Sequence, residues 1–239
     1  VELRIPGLAP GLEGLRIAQI SDVHVGPAIR EHEVRTIVEA VNALSPDLVA
    51  ITGDLVDGTV ERIGPAVAPL AELRSTHGSF FCTGNHEYYS GVDAWCEEVA
   101  RLGVRVLSET HVLVEHGGAR LLVAGVDDPE GKRFGAHEPK PSAALEGAPP
   151  HDCSVLLAHR PRAVREASAA GFDLQLSGHT HGGQYFPYTW LVRLFEPFET
   201  GLHRVGRTLL YVNRGTTFWG PPIRLGSAQE ITLLTLRRA

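Results

Sequence analysis

The sequence predicts an α/β fold in which a strand-rich second sheet packs on a first sheet built from βαβ units, within one domain. Three observations predict it. The first hundred or so residues alternate short apolar runs with helix-period segments. From Val104 onward the rhythm is almost entirely strands. Three early strands, moreover, end in side chains able to hold a cation, and open α/β sheets gather ligands outside the carboxyl ends of their strands.

Taken in order, Leu15–Ile20 reads as a strand ending at Ser21-Asp22, and Glu31–Leu44 as a helix with Val34, Ile37, Val38, Val41 and Leu44 on one face. Leu48–Thr52 reads as a buried strand with Asp54 just beyond it. Ile63–Leu73 is a predicted helix, Ser79–Thr83 a strand that delivers Asn85 and His86, and Val92–Leu102 a helix. The later strands are Val104–Leu107, Val112–Glu115, Leu121–Val126, Val155–Ala158, Leu174–Ser177, Leu209–Asn213 and Ile231–Leu236, with a helix over Ala163–Ala169. Pro129–Pro150, rich in Pro, Gly, Ala and charge, reads as a long surface loop near the site. No repeat or heptad pattern is present.

Composition bounds the reading. The 239 residues, 43% hydrophobic and 21% charged, are ordinary for a globular chain with a sizeable core. A net charge of −6 argues mildly against bulk nucleic-acid binding, although two bound dications would cancel most of it locally. Cys82, Cys96 and Cys153 are odd in number and lack C-x-x-C spacing, which excludes a disulfide framework and a zinc knuckle. There is no Met, no signal-like segment and no spanning apolar run. The chain thus reads as a piece of a longer translated protein, with a signal or membrane anchor one candidate for what precedes Val1.

Five short runs carry the chemistry: Asp22-Val23-His24, Gly53-Asp54-Leu55-Val56-Asp57, Gly84-Asn85-His86-Glu87, Ala158-His159 and Gly178-His179-Thr180-His181. Carboxylate and amide oxygens with imidazole nitrogens are the donors that hard and borderline divalent ions choose. Asp22 and His24 lie two apart, so an extended backbone would point both to one side. Asp54 follows a glycine that permits a tight turn, and its two oxygens could bridge ions held roughly 3.5–4 Å apart. His179 and His181 could both face such ions across a kinked turn, with Gly182-Gly183 leaving room for a phosphate. Alone, a D-x-H or H-x-H run is weak evidence. All five in this order are not.

These runs resemble the calcineurin-like metallophosphoesterase superfamily, whose pattern is D-x-H, G-D-x-x-D, G-N-H-[DE], H and G-H-x-H. The resemblance implies a four-layer α/β/β/α sandwich with two mixed sheets and two divalent ions (Mn, Fe or Zn) at their shared edge. Carried over, one ion takes Asp22, His24, Asp54 and His181, and the other Asp54, Asn85, His159 and His179. The implied reaction is in-line attack on phosphorus by a hydroxide held between the ions, with His86 as general acid and Asp57 orienting it. Tyr211-Val-Asn-Arg214-Gly215 and Gly220-Pro-Pro-Ile-Arg224-Leu-Gly are similar to a bacterial subgroup often anchored to, or exported across, the membrane, some of whose relatives cleave phosphodiester or pyrophosphate bonds, including those of lipid precursors. A tethered or exported domain is the expectation from that resemblance, and a cytoplasmic one the alternative.

Arg160, directly after His159, is a candidate for substrate binding, since an arginine can grip phosphate bidentately. It could equally be a solvated residue at a helix start, the reading preferred for Arg162. Tyr185–Phe198 crowds aromatic and aliphatic residues after the His179/His181 turn. It reads either as a lid packed on the core or as an exposed apolar lip for a lipid substrate or membrane surface. His32, His77, His111, His116, His137, His151 and His203 read as surface or loop residues. The leading expectation is a hydrolase of phosphodiester or pyrophosphate bonds in small-molecule or lipid-linked substrates. A phosphomonoesterase is the alternative, though Gly58 stands where Ser/Thr protein phosphatases carry Arg. A nuclease or a non-catalytic metal-binding interaction module is disfavoured, the latter because no ligand position is lost.

Overall fold

A computed structural model describes residues 1–136 and 138–239, and for Tyr188, Leu191, Arg193 and Phe195 the backbone alone. The reading of His137 as a loop residue falls outside the described residues. In chain order the strands are β1 (Glu2–Ile5), β2 (Arg16–Ile20), β3 (Leu48–Thr52), β4 (Ser79–Cys82), β5 (Arg105–Val106), β6 (Thr110–His116), β7 (Ala119–Gly125), β8 (Cys153–Leu157), β9 (Leu174–Ser177), β10 (Gly201–Val205), β11 (Thr208–Val212) and β12 (Thr232–Arg238). The helices are α1 (Glu31–Ala43), α2 (Val60–Val67), α3 (Asn85–Ser90), α4 (Val92–Arg101), α5 (Val164–Ala170) and α6 (Tyr188–Phe195).

Two six-stranded mixed sheets result, ordered β1-β12-β2-β3-β4-β5 and β10-β11-β9-β8-β7-β6. Within the first, β2, β3, β4 and β5 run parallel; within the second, β7, β8, β9 and β11 do. Because side chains alternate along a strand, each central strand feeds two cores. Ile17, Leu48, Ala50 and Phe80 meet Leu121, Val123, Val155, Leu157, Leu174 and Leu176 between the sheets. Ala18, Ile20, Val49, Ile51 and Phe81 face away, onto Val34, Val38 and Val41 of α1 and Trp95 and Val99 of α4. Leu122, Ala124 and Leu156 are covered by Ala167 of α5 and by Phe172. Helices therefore flank both sheets, as the α/β/β/α expectation requires.

Several local expectations change. The helix read over Ile63–Leu73 is α2 followed by a 3₁₀ turn at Ala68–Glu72. Pro69 has no N–H to continue the α-helical ladder, so the last turn tightens. Strands β1 and β10 and helices α3 and α6 were not read from sequence. The Pro129–Pro150 loop contains 3₁₀ turns at Pro129–Phe134 and Ala143–Leu145. His111, His116 and His203 lie on strands rather than loops. His116 Nδ1 meets His77 Nε2 at 3.0 Å, linking the loop before β4 to the β6–β7 hairpin.

Candidate metal centre

The parallel strands of both sheets end on the same side of the molecule. Asp22 and His24 follow β2, Asp54 and Asp57 follow β3, Asn85 and His86 open α3 after β4, His159 follows β8, and His179 and His181 follow β9. Direct bonds lock the two sheet edges together there. His159 Nδ1 lies 2.7 Å from the Thr52 carbonyl, the His179 amide donates to both Asp22 carboxylate oxygens at 3.1 Å, and Gln19 Nε2 donates across the sheets to the Ser177 carbonyl at 3.0 Å.

The extended backbone expected at Asp22 and His24 is not what forms. Asp22, His24, Asp54, His179 and His181 all have φ between 50° and 71°, the left-handed region that costs a non-glycine residue of order 1–3 kcal/mol. Each strand end coils back on itself, and the donor atoms there lie close to one another. Gly178 is needed for approach rather than for φ. A Cβ there would lie 1.9 Å from Ser21 Oγ and 2.1 Å from Asp22 Oδ2. The room expected beside Gly182-Gly183 for a phosphate is filled, because Ser227 packs on the first and the Thr189 backbone on the second.

Two groups of donors converge. In one, His181 Nε2 stands 3.2 Å from Asp22 Oδ1 and 3.1 Å from His24 Nε2, with Asp54 Oδ2 3.9 Å from His24 Nε2. In the other, His159 Nε2 lies 3.2 Å from Asp54 Oδ2 and 3.2 Å from His179 Nδ1. Two imidazole nitrogens sharing one tetrahedral cation stand roughly 3.3 Å apart. Among the described residues, Asn85 Oδ1, buried beside them, has no hydrogen-bond partner. An orphaned carbonyl oxygen among imidazole nitrogens and carboxylates is costly unless a cation completes it. The residues present therefore fit divalent ions.

Asp57 has a wider part than the sequence suggested. Its Oδ1 meets Nδ1 of His86 at 2.5 Å and Nδ1 of His24 at 3.0 Å. Both rings thereby turn Nε2 toward the centre, and His86 Nε2 comes to 3.9 Å from Asp54 Oδ2. Burial alone would raise the Asp57 pKa, yet its hydrogen bonds to His24 and His86 hold it well below the usual carboxylate range. Burial disfavours the charged form of His86, but the Asp57 bond and the Asp54 charge outweigh it and raise this imidazole. His159 follows the same logic. Burial is outweighed by Asp54, which lifts it to about 10, whereas His179, buried and facing His159, falls to about 3.

Sequence reasoning gave Glu87 no role. Fully buried, its carboxylate accepts from the amides of Gly84 at 2.5 Å, Asp54 at 3.0 Å and Leu55 at 2.7 Å, stapling the turn after β3 to the start of α3. The fourth position of the G-N-H-E run was the available signal. Arg224, too, was read only as part of a similar tail; its Nη2 stands 3.0 Å from His181 Nδ1. Arg160 turns its guanidinium to Asp128 at 2.9 Å and Glu130 at 3.1 Å and does not line the cavity over the centre. Arg162 pairs with Glu196 at 3.1 Å.

That cavity, 370 Å³, has His24, Asp54, Asn85, His86, His179 and His181 on its floor and Tyr185, Val192 and Trp219 on its walls. Val192 of α6 is buried, while Phe186, Trp190 and Leu194 are exposed. Among the described residues, no helix is long and apolar enough to cross a membrane.

Comparison with known proteins agrees with this geometry. Residues 15–183 match the calcineurin-like phosphoesterase family. The chain is 40% identical over 248 residues to a transmembrane protein with metallophosphoesterase domain from Danio rerio, covering all of this chain and 57% of that protein. It is 35% identical over 240 residues to a metallophosphoesterase from Campylobacter jejuni, covering 99% of this chain and 62% of that one. The chain thus spans little more than half the length of these relatives. A calcineurin-like phosphoesterase from Bacillus subtilis shares the fold at a TM-score of 0.58 and 16% identity, over 85% of this chain and 82% of that one. The strand-end donor groups, the paired mixed sheets and the match over residues 15–183 together make this chain a member of the calcineurin-like phosphoesterase family, hydrolases that act on phosphoester bonds with divalent metals.

Proposed function

We propose that the chain hydrolyses phosphodiester or pyrophosphate bonds at a centre of two divalent ions. Asp22, His24, Asp54 and His181 would hold one ion, and Asp54, Asn85, His159 and His179 the other. The unpartnered, buried Asn85 Oδ1 among converging imidazoles carries this reading. Mn, Fe and Zn all suit such a donor set. When bound, the ions supply positive charge against the phosphoryl oxygens and acidify water.

The protein's own groups do the rest. The attacking oxygen, from a water that gives up one proton to bulk solvent, bonds to phosphorus as the bond from phosphorus to the leaving oxygen breaks, its electron pair going with that oxygen. His86, whose protonated form the bond to Asp57 favours, donates its Nε2 proton to that leaving oxygen, a contribution worth about 10²–10⁴ in rate. The described residues lining the cavity include no Lys or Arg, and Glu196 is among them, so the ions and His86 are the cationic groups this lining would set against phosphoryl oxygens, which favours substrates with one charge per phosphorus. The same scarcity of cations disfavours nucleic acid. Small-molecule and lipid-linked esters both fall within the reading.

The test is turnover of bis(p-nitrophenyl) phosphate against p-nitrophenyl phosphate, using metal-stripped protein with Mn, Zn or Mg restored. Metal-restored diester cleavage, lost in Asp54→Asn, is the expected result. Preference for the monoester would reassign the enzyme to phosphatases, and failure to bind metal would overturn the reading.

A further inference from the structure

Two open sheets have four edge strands, and three of these are blunted. β1 is four residues long with Glu2 and Arg4 exposed, β5 is two residues long, and β10 carries an exposed Arg204 among its five residues. Short and charged edges discourage pairing with another chain. The fourth edge, β6, has neither device. It runs seven residues, pairs only with β7, and holds Val112-Leu113-Val114 at its middle with no charge, Pro or Gly among them. Among the described residues, the backbone of Thr110–His116 bonds to no backbone beyond β7. A cavity of 360 Å³ lies beside it, lined by Phe80 and Arg105 of the first sheet and by Val112, Leu113 and Val114 of β6. The row of outward amides and carbonyls on β6 is therefore a template for one more strand.

The order of residues along β6 suits a second copy of itself. In an antiparallel pair centred on Leu113, each residue meets the one equally far beyond Leu113 on the partner strand. Val112 then meets Val114, Thr110 meets His116, and Glu115 meets the imidazole of His111 rather than a second carboxylate. Cross-strand neighbours of matching chemistry stabilise such a pair, and like charges directly opposite would destabilise it. The two faces also match. Val112 and Val114 pack into the core between the sheets, and His116 bonds to His77 on the first sheet's side. Leu113 joins the outer cluster beneath α5, and His111 Nδ1 donates to the Ala144 carbonyl at 2.9 Å on that same outer side. A two-fold axis perpendicular to the sheet keeps inner positions beside inner ones and outer beside outer.

We infer that β6 is the interface of a two-fold symmetric dimer in which the second sheets of two copies join, edge to edge, into one continuous sheet. No β6 residue is among the described residues lining the cavity over the metal centre, and antiparallel joining turns the two centres to opposite ends of the dimer, so both stay open. Light scattering over a concentration series is expected to show the mass rising to twice that of the chain; a monomer throughout the series overturns the inference and leaves the edge to a strand from another protein. Leu113→Cys reads the register. Its two copies would stand about 4.5–5.5 Å apart between Cα atoms at the axis, within disulfide reach. With oxidised glutathione added, the two thiols give up two protons and two electrons to it and one S–S bond forms between the copies. Glu115→Cys is the control, because its two copies would stand about 14 Å apart and cannot be bridged. At least tenfold more covalent dimer from Leu113→Cys than from Glu115→Cys or from the unmodified chain, in which Cys82 and Cys153 are buried, is the expected result. Equal yields overturn the inference, including equal yields from a chain that is dimeric by mass, which would place the contact elsewhere. An unchanged Tm in each variant shows that the fold is kept, and the mass of the unmodified chain decides independently of both.

Discussion

Asp57 serves two imidazoles with one carboxylate oxygen, and under the proposed mechanism this would couple metal binding to proton transfer. In that proposal His24 needs its Nδ1 proton fixed for Nε2 to ligate, and His86 needs the same for Nε2 to donate. The two variants should therefore separate. His86→Ala is expected to lower kcat about 10²–10⁴-fold with metal content unchanged after dialysis. Asp57→Asn is expected to lower both, because ligands that lose such an orienting carboxylate typically lose 10–100-fold in metal affinity. Metal content by mass spectrometry beside kcat decides it; full occupancy in Asp57→Asn would refute the coupling. At this scale the ligand types and their order were legible, since strand ends carrying Asp, Asn and His are local features. That Asp57 is shared, that Glu87 staples two turns, and that Arg160 is occupied by Asp128 and Glu130 were not. Those contacts join residues some thirty positions apart, and their geometry depends on left-handed turns that periodicity does not encode.

Among the elements, α6 depends most on a single contact. Gly183 has φ +67°, and a Cβ there would lie 2.3 Å from the Thr189 Cα. Gly183→Ala must therefore bear the left-handed backbone and also push α6 outward. The expected cost is about 2–4 kcal/mol, a fall in Tm of roughly 5–15 °C for a chain of this size. Gly118→Ala, on the β6–β7 hairpin where a Cβ meets nothing at φ +80°, isolates the backbone cost and should lose about 1 kcal/mol. Scanning calorimetry of the two variants checks the difference, and equal Tm values would mean that α6 does not rest on Gly183. The helix itself escaped sequence reading because Pro187 and Pro197 bracket it and its exposed stripe mimics a buried one. Strands β1 and β10 escaped for the opposite reason. They are short edge strands whose alternation is too brief to stand out.

Across the whole molecule the centre is a joint. Asp22, His24, Asp54 and Asn85 come from the first sheet's edge, and His159, His179 and His181 from the second's. Ions bound only by the folded chain stabilise it by mass action, about 4 kcal/mol when free metal is a thousandfold above Kd. Chelation should therefore lower Tm by roughly 8–16 °C, reversibly on adding Mn or Zn, as read by calorimetry at fixed protein concentration. An unchanged Tm despite full metal loss would show that the sheets are held by their apolar core alone.

The sequence by itself determined the alternating strands and helices of the first sheet, the strand-rich second half and the inventory of donors at strand ends. Each is set by a local pattern of apolar and polar residues, or by a glycine beside a ligand-capable side chain. Tertiary structure alone decided which donors converge, which carboxylates occupy Arg160, and where apolar surface remains outside. Those outcomes depend on two sheets meeting edge to edge, with Asp22 and His179 some 157 residues apart in the chain yet 3.1 Å apart in space. Chain entropy opposes such closures and only the shared apolar core between the sheets overcomes it, so no local pattern can record them.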